Sequence, residues 1–336
     1  MRNKIIEWNN VTKEKFHEEI IPLYQPAILK GFSEKWMLVK KSKQSNLELS
    51  NYIKSFDNGA QVETFIGDES IDGRFFYNED LTGYNFQRIK ESISFSLDRI
   101  LNNLSESTAP SLYTGSVPII NHGEKFLQQN KFNLITQPSN PRIWVGNKVT
   151  IQAHFDQSDN VACVVAGRRR FTLFSPEQIS NMYVGPIDNT VAGPQLSMVN
   201  ISNPDYNKHP KFKQAMGSAM VAELSPGDAI YIPSLWWHHV ESLEEFNVLV
   251  NYWWATHYGS DSPLTTLVHA LLSLRNLSDG ERKAWQALFN HYIFNTEGNP
   301  VGHLPEVQQG VLGELTEKTY PMIKNHLMAL IKSQLH

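Results

Sequence analysis

Between residues 111 and 256 one pattern recurs at close spacing: a short run rich in Val, Ile, Phe, Tyr and Trp, closed by Gly, Pro or Asn. SLYTGSVPII, RIWVGNKVTIQAHFD, NVACVVAG, RRRFTLFSP, PGDAIYIPSLWWHHV and FNVLVNYWW follow one another in this way. β-Branched and aromatic side chains pack well on a pleated surface, and short runs separated by turn residues read as strands. The pattern predicts an antiparallel sandwich or barrel. One stretch interrupts it. Residues 184–212 are rich in Pro and Asn and too long for a plain connection, which predicts a lid or a binding loop.

The flanks differ in character. Residues 1–110 read as mixed α and β, and the chain is expected to divide into 1–110, a β region 111–258 and a helical region 259–336. Thr12 starts a helix cap, with Lys15 where Glu would complete it. LYQPAILKGF (23–32) suits a short buried strand, and residues 60–80 alternate like exposed strands or a hairpin. Phe86, Ile89, Ile93, Phe95, Ile100 and Leu104 recur near helical spacing. In the tail, Ser262-Pro263 and the box Ser278 to Glu281 are helix starts. Apolar stripes run over Leu264 to Leu272, Val307 to Leu315 and Ile323 to Ile331. These stripes need burial, either over the barrel or against another subunit.

Composition narrows the classes. Hydrophobic residues make up 41%, enough for a core, and a net charge of −4 offers no basic excess for nucleic acid. The single cysteine, Cys163, permits neither an intrachain disulfide nor an all-cysteine zinc site. MRNKIIEWNN is not apolar enough for a signal peptide, and no run of about 18 apolar residues spans a bilayer. A soluble cytoplasmic protein with no membrane or nucleic-acid partner is expected.

Chemistry concentrates in three places. In TIQAHFD the strand period of two puts Thr150, Gln152, His154 and Asp156 on one face. An imidazole and a carboxylate two residues apart suit adjacent positions on a metal, although a solvated polar face reads the same. Far along the chain, WWHHV supplies His238 and His239, which point to opposite sides of a strand, so only one joins that pair. Two imidazoles and a carboxylate leave three adjacent positions open on an octahedral ion, an arrangement suited to Fe(II) that also binds a cosubstrate and O2. In RRRFTLF, Arg169 shares a face with Phe171 and Leu173, whereas Arg168 and Arg170 share the other with Thr172. A guanidinium on an apolar face needs an anion. An internal carboxylate or a dicarboxylate held bidentately would serve.

These stretches together resemble a known family. HFDQSDNVACVVAGRRRFTLFSPEQ, NPDYNKHPKF and LSPGDAIYIPSLWWHHVESL followed by NVLVNYWW, with PAILKGF upstream, are similar to JmjC/cupin-like Fe(II)- and 2-oxoglutarate-dependent oxygenases. Asparaginyl hydroxylases are the nearest comparison, and the region marked out is nearly half the chain. The resemblance implies a mainly β protein with α: a double-stranded β-helix (jelly-roll, cupin) core, N-terminal α/β elements and C-terminal helices. It implies His154, Asp156 and His238 as iron ligands, with His239 outside the set. Arg169 falls where the family most often has a lysine for the far carboxylate of 2-oxoglutarate. Asn160 and Asn251 fall where relatives place amides near that cosubstrate, and Tyr113 matches a tyrosine that touches it. The family's hydroxyl residue three positions before the first ligand is here Ile151, leaving Thr150 as the substitute. Asp156 disfavours halogenation, because halogenating relatives lack the carboxylate.

The chemistry so implied is oxidative, using Fe(II), 2-oxoglutarate and O2 and releasing succinate and CO2. The expected substrate is a side chain on a protein or peptide, with a small molecule second, and the expected assembly is a homodimer through the C-terminal helices. Two other classes compete: a zinc or manganese cupin isomerase, which would need a fourth protein ligand, and a silent binding module, against which the intact triad speaks. Trp236, Trp237, Trp253 and Trp254 stand near the implied site in sequence and would wall a cavity or pack the core.

Overall fold

The computed structural model describes residues 4–106, 108–119, 124–136, 141–255, 262–317 and 319–333. The chain divides into two compact units, Met1–His257 and Tyr258–His336. The first carries thirteen strands among its described residues: β1 (Ile6–Asn9), β2 (Ala27–Lys30), β3 (Gln61–Gly67), β4 (Phe86–Ser92), β5 (Ser111–Pro118), β6 (Arg142–Gly146), β7 (Thr150–His154), β8 (Asp159–Ala166), β9 (Arg169–Phe174), β10 (Met220–Leu224), β11 (Ala229–Ile232), β12 (Trp237–Ser242) and β13 (Asn247–Trp254). Nine form one sheet in the order β1-β2-β11-β8-β13-β6-β5-β3-β4, and four form a second, β10-β9-β12-β7.

Side-chain parity builds the layers. Val161, Cys163 and Val165 of β8, with Val248, Val250, Tyr252 and Trp254 of β13, face a core shared with Phe16, Leu38, Leu49 and Leu97 from the helical segments. Ala162, Val164, Leu249, Ile230 and Ile232 face the other way, onto Phe171, Leu173, Ala222 and Leu224 of the smaller sheet. The large sheet is therefore buried on both faces at its centre. That explains why NVACVVA lacks alternation, and each buried valine in it contributes roughly 1.5–3 kcal/mol. Two packed sheets with antiparallel pairing make the jelly-roll core, and the N-terminal strands extend its larger sheet.

The N-terminal third corrects the sequence reading twice. Of residues 60–80 only β3 is a strand, and it pairs with β4 and β5. Phe75, Phe76 and Tyr77 are buried rather than exposed. The expected helix over 84–104 is split into β4 and the helix Ile93–Asn103, because the Ser92 hydroxyl accepts from the Phe95 N–H and starts the helix there. Short apolar runs do not distinguish the two periods. The Thr12 cap is present, accepting from Lys15 N at 3.2 Å, and β10 is a strand that the sequence pattern left unmarked.

The second unit contains the helices Pro263–Leu274, Asp279–Tyr292 and Thr319–Ser333. Ser262 caps the first, and Ser278 with Glu281 forms the expected capping box of the second. The Val307 to Leu315 stripe is not a helix; it makes two single 3₁₀ turns, Glu306–Gln308 and Gly310–Leu312. No residue of the three helices is buried. Among the described residues no helix is long and apolar enough to cross a membrane.

Candidate active site

His154 ends β7 and His238 lies on β12, where the two are cross-strand partners. Their rings lie 4.2 Å apart between centroids. Asp156 follows two residues beyond His154. One ligand atom from each of the three lies within 4.8 Å of the others, and among the described residues this group has three members. Each imidazole is held by its own strand: His154 Nδ1 donates to the Gln152 carbonyl at 2.8 Å and His238 Nδ1 to the Trp236 carbonyl at 3.0 Å. Both Nε2 atoms are thereby left as acceptors, the form a metal binds. His238 Nε2 stands 3.7 Å from Asp156 Oδ2. Burial, and then the neighbouring His154, keep the His238 imidazole neutral well below the usual histidine range. His239 points the other way, with its Nε2 3.5 Å from the Ser202 hydroxyl; burial pushes it down to about 3.

The three groups open into a cavity of about 630 Å³ between the sheets, walled by Phe65, Phe75, Trp144, Ile151, Val240 and Leu249. Arg169 also lines it and is only 2% exposed. Among the described residues its Nε and Nη2 have no hydrogen-bond partner and no carboxylate pairs with it. Burial pulls the guanidinium down to about 10. Its neighbours in RRR behave differently. Arg168 pairs with Glu244 at 2.7 Å, and Arg170 with Glu223 at 2.7 Å. Strand parity separates one buried arginine from two solvated ones.

Asn160, Asn251 and Tyr113 line the same cavity. The Trp144 indole N–H donates to Asn251 Oδ1 at 2.7 Å, and Asn251 Nδ2 donates to Asn160 Oδ1 at 3.2 Å. An indole is a donor only, so it sets the polarity of the relay and leaves the Asn160 amide nitrogen as a donor for a ligand. Burial raises the Tyr113 phenol far above its ordinary range, against the opposing pull of Arg169.

Thr150 is the exception. His238 faces His154 but Val240 faces Ile151, so Gln152 and Ala153 together oppose His239. This bulge shifts parity by one. Ile151 turns into the cavity, and Thr150 pairs with Glu241 and does not line it. The hydroxyl three residues before the first ligand is replaced here by an aliphatic wall.

The long loop contributes Thr190–Pro194 and Leu196 to the lining. Three side chains from the N-terminal third hold it. Tyr77 donates to the Asn189 carbonyl at 2.6 Å, Tyr84 to the Thr190 carbonyl at 2.7 Å, and Arg88 to the Val191 carbonyl. Sequence reasoning assigns no role to these three, to Phe75 or to Trp144, since no local pattern couples them to the site. Of the four tryptophans near the motifs, Trp253 lines the cavity, and Trp236, Trp237 and Trp254 pack into apolar clusters.

The family model described as a cupin-like domain matches residues 13–260, well over half the chain. The chain belongs to the cupin-like domain family. Among known proteins this cupin-like domain is similar to Lysine-specific demethylase JMJ31 of Arabidopsis thaliana, 29% identical over 175 residues (48% of this chain, 31% of that protein). It is similar to JmjC domain-containing protein D of Dictyostelium discoideum, 37% identical over 103 residues (30% and 22%). It is also similar to the tRNA wybutosine-synthesizing protein 5 of Homo sapiens, 34% identical over 133 residues (39% and 36%). The matches cover less than two fifths of each relative's own length. The JmjC/cupin-like resemblance read from the motifs holds, and so does the mainly β jelly-roll fold it implied.

Proposed function

We propose that this chain is an Fe(II)- and 2-oxoglutarate-dependent oxygenase that hydroxylates a side chain of a protein or peptide. The observation that carries this reading is a pairing within one cavity. Among the described residues, a two-imidazole, one-carboxylate cluster with no fourth member faces the same space as a buried guanidinium with no carboxylate partner. Three protein ligands fit an ion that must keep positions open, and they disfavour the isomerase alternative, which needs a fourth. His154 Nε2, His238 Nε2 and an Asp156 oxygen would hold the iron. Bound there with 2-oxoglutarate, iron supplies the activation of O2 needed to oxidise an unactivated C–H bond.

The chain's own residues bind, orient and exclude water. Arg169 takes the far carboxylate of 2-oxoglutarate through its two free N–H groups, a charge-assisted contact. The Asn160 amide, oriented through Asn251 and Trp144, donates to the cosubstrate. Tyr113 stays protonated and offers its hydroxyl beside Arg169. Phe65, Phe75, Trp144, Ile151, Val240 and Leu249 keep the site dry. In the net reaction 2-oxoglutarate loses CO2 and gains one oxygen atom to become succinate, and the second oxygen enters the substrate as a hydroxyl.

The cavity mouth, with Glu63, Gln157 and Ala192 exposed, accommodates a side chain presented from a larger molecule. The net charge of −4 offers no basic excess for a nucleic acid, which favours a protein substrate. A small-molecule substrate is the second reading, favoured by the modest volume of the cavity. We further propose a cytoplasmic homodimer formed through the C-terminal helices, whose apolar stripes are exposed: Leu267 51%, Leu327 51% and Leu330 49%.

The test is to incubate the protein with Fe(II), labelled 2-oxoglutarate and a cell lysate, then to follow labelled CO2 and search peptides and metabolites for a gain of one oxygen. Succinate formation with an oxygenated peptide supports the reading. No turnover under any condition, with zinc tightly bound, overturns it in favour of the isomerase.

A further inference from the structure

We propose that Trp253 is a positioning residue for the metal ligand Asp156, an inference that rests on the metal reading above. The three ligands are anchored in different ways. His154 and His238 sit on paired strands, and each donates its Nδ1 proton to a carbonyl of its own strand. Asp156 lies past the end of β7, where no ladder fixes its backbone. Its carbonyl accepts from the Leu235 N–H at 2.7 Å, which tethers the main chain but leaves the side chain to rotate. Among the described residues, one hydrogen bond reaches its carboxylate. The Trp253 indole Nε1–H donates to Asp156 Oδ2 at 3.0 Å.

That bond spans the two sheets. Trp253 lies on β13, where it pairs with Asn160 of β8, so the ladder fixes its backbone at the position opposite the end of β7. The Trp144 ring packs edge-on against it, 5.7 Å between centroids at 88°. The indole carries one donor and no acceptor nitrogen. It occupies a lone pair of the carboxylate, holds its rotamer toward His238, and neither competes for a cation nor changes the charge. Each of the three ligands then has its own N–H···O restraint, and the restraint on Asp156 is supplied by the opposite sheet. Hydrogen-bonded supports of this kind are worth 10- to 100-fold in metal affinity.

The experiment is a competition titration of the metal-free chain with Co(II) alone, against an indicator chelator, for the unaltered chain, Trp253→Phe, Asp156→Ala and the double variant. Phenylalanine removes the N–H while leaving an aromatic wall. Trp253→Phe is expected to weaken Co(II) binding about 10- to 100-fold, and to cause no further loss when Asp156 is already alanine. Binding by Trp253→Phe within twofold of the unaltered chain overturns the proposal. So does an equal loss in the Asp156→Ala background, which would mean a general packing role. If the unaltered chain binds no Co(II), the metal reading itself fails, a different result from either of these. Should Trp253→Phe not fold, the indole N–H resonance of the unaltered protein decides. Slow exchange with water and a shift on Zn(II) addition support the bond, and exchange at the rate of a free indole overturns it.

Discussion

Replacing Arg169 by methionine should move stability and ligand binding in opposite directions. The guanidinium is 2% exposed and has two unpartnered nitrogens. Burial lowers it from 12.5 to about 10. At about 1.4 kcal/mol per tenfold change in acidity, keeping it charged costs about 3 kcal/mol. Methionine fills similar volume without the charge, and apolar replacement of an uncompensated buried charge stabilises by roughly 1–4 kcal/mol. At 2–4 °C per kcal/mol for a domain of this size, the metal-free variant should melt several degrees above the unaltered chain. Binding should respond the other way. Truncating one side of a buried charge pair costs about 2–5 kcal/mol, so 2-oxoglutarate affinity of the metal-loaded, oxygen-free protein should fall at least about 30-fold. Arg169→Lys should retain much of the affinity, because the charge remains. Scanning calorimetry and cosubstrate titration measure the two effects separately. A variant that melts lower and binds 2-oxoglutarate as before would show that Arg169 is structural and that the anchor lies elsewhere.

Other outcomes follow from the same geometry. His154→Ala and Asp156→Ala should each abolish iron-dependent decarboxylation of 2-oxoglutarate while leaving the far-ultraviolet circular dichroism unchanged; full turnover in both would remove the metal assignment. His238 and His239 are held neutral by burial, below the ordinary 6.5 of an unfolded histidine. The unfolded chain therefore binds more protons below that value, and the metal-free fold should be most stable above pH 6.5 and lose stability as pH falls toward 4. A melting temperature flat across that window would contradict the burial of both rings. Light scattering should report about twice the chain mass of 38.4 kDa. Leu327→Glu should shift it to the monomer if the exposed stripe of Thr319–Ser333 is the contact, and an unaltered chain that is monomeric at all concentrations would exclude that interface.

Much of the site was legible because a strand has a period of two. Parity alone placed Arg169 with Phe171 and Leu173 and turned Arg168 and Arg170 outward, and it set His238 against His239. The same rule failed at Thr150. A bulge depends on the partner strand, and one residue too many between His154 and Ile151 exchanges which of them face inward. The N-terminal third was harder for a similar reason. Phe86 and Ile89 sit at a spacing that fits either period, and only pairing with β3 makes them a strand.

The sequence by itself marked most of the central strands, because hydrophobic period is a local property, and its resemblance to a known family singled out His154, Asp156 and His238 as metal ligands. Only the tertiary structure decided that Arg169 has no carboxylate partner among the described residues, that Trp253 donates to Asp156 from the opposite sheet, and that Tyr77, Tyr84 and Arg88 hold the loop carrying Thr190–Pro194. Those contacts join residues tens to more than a hundred positions apart. A sheet's register sets them through space, and no spacing along the chain encodes them.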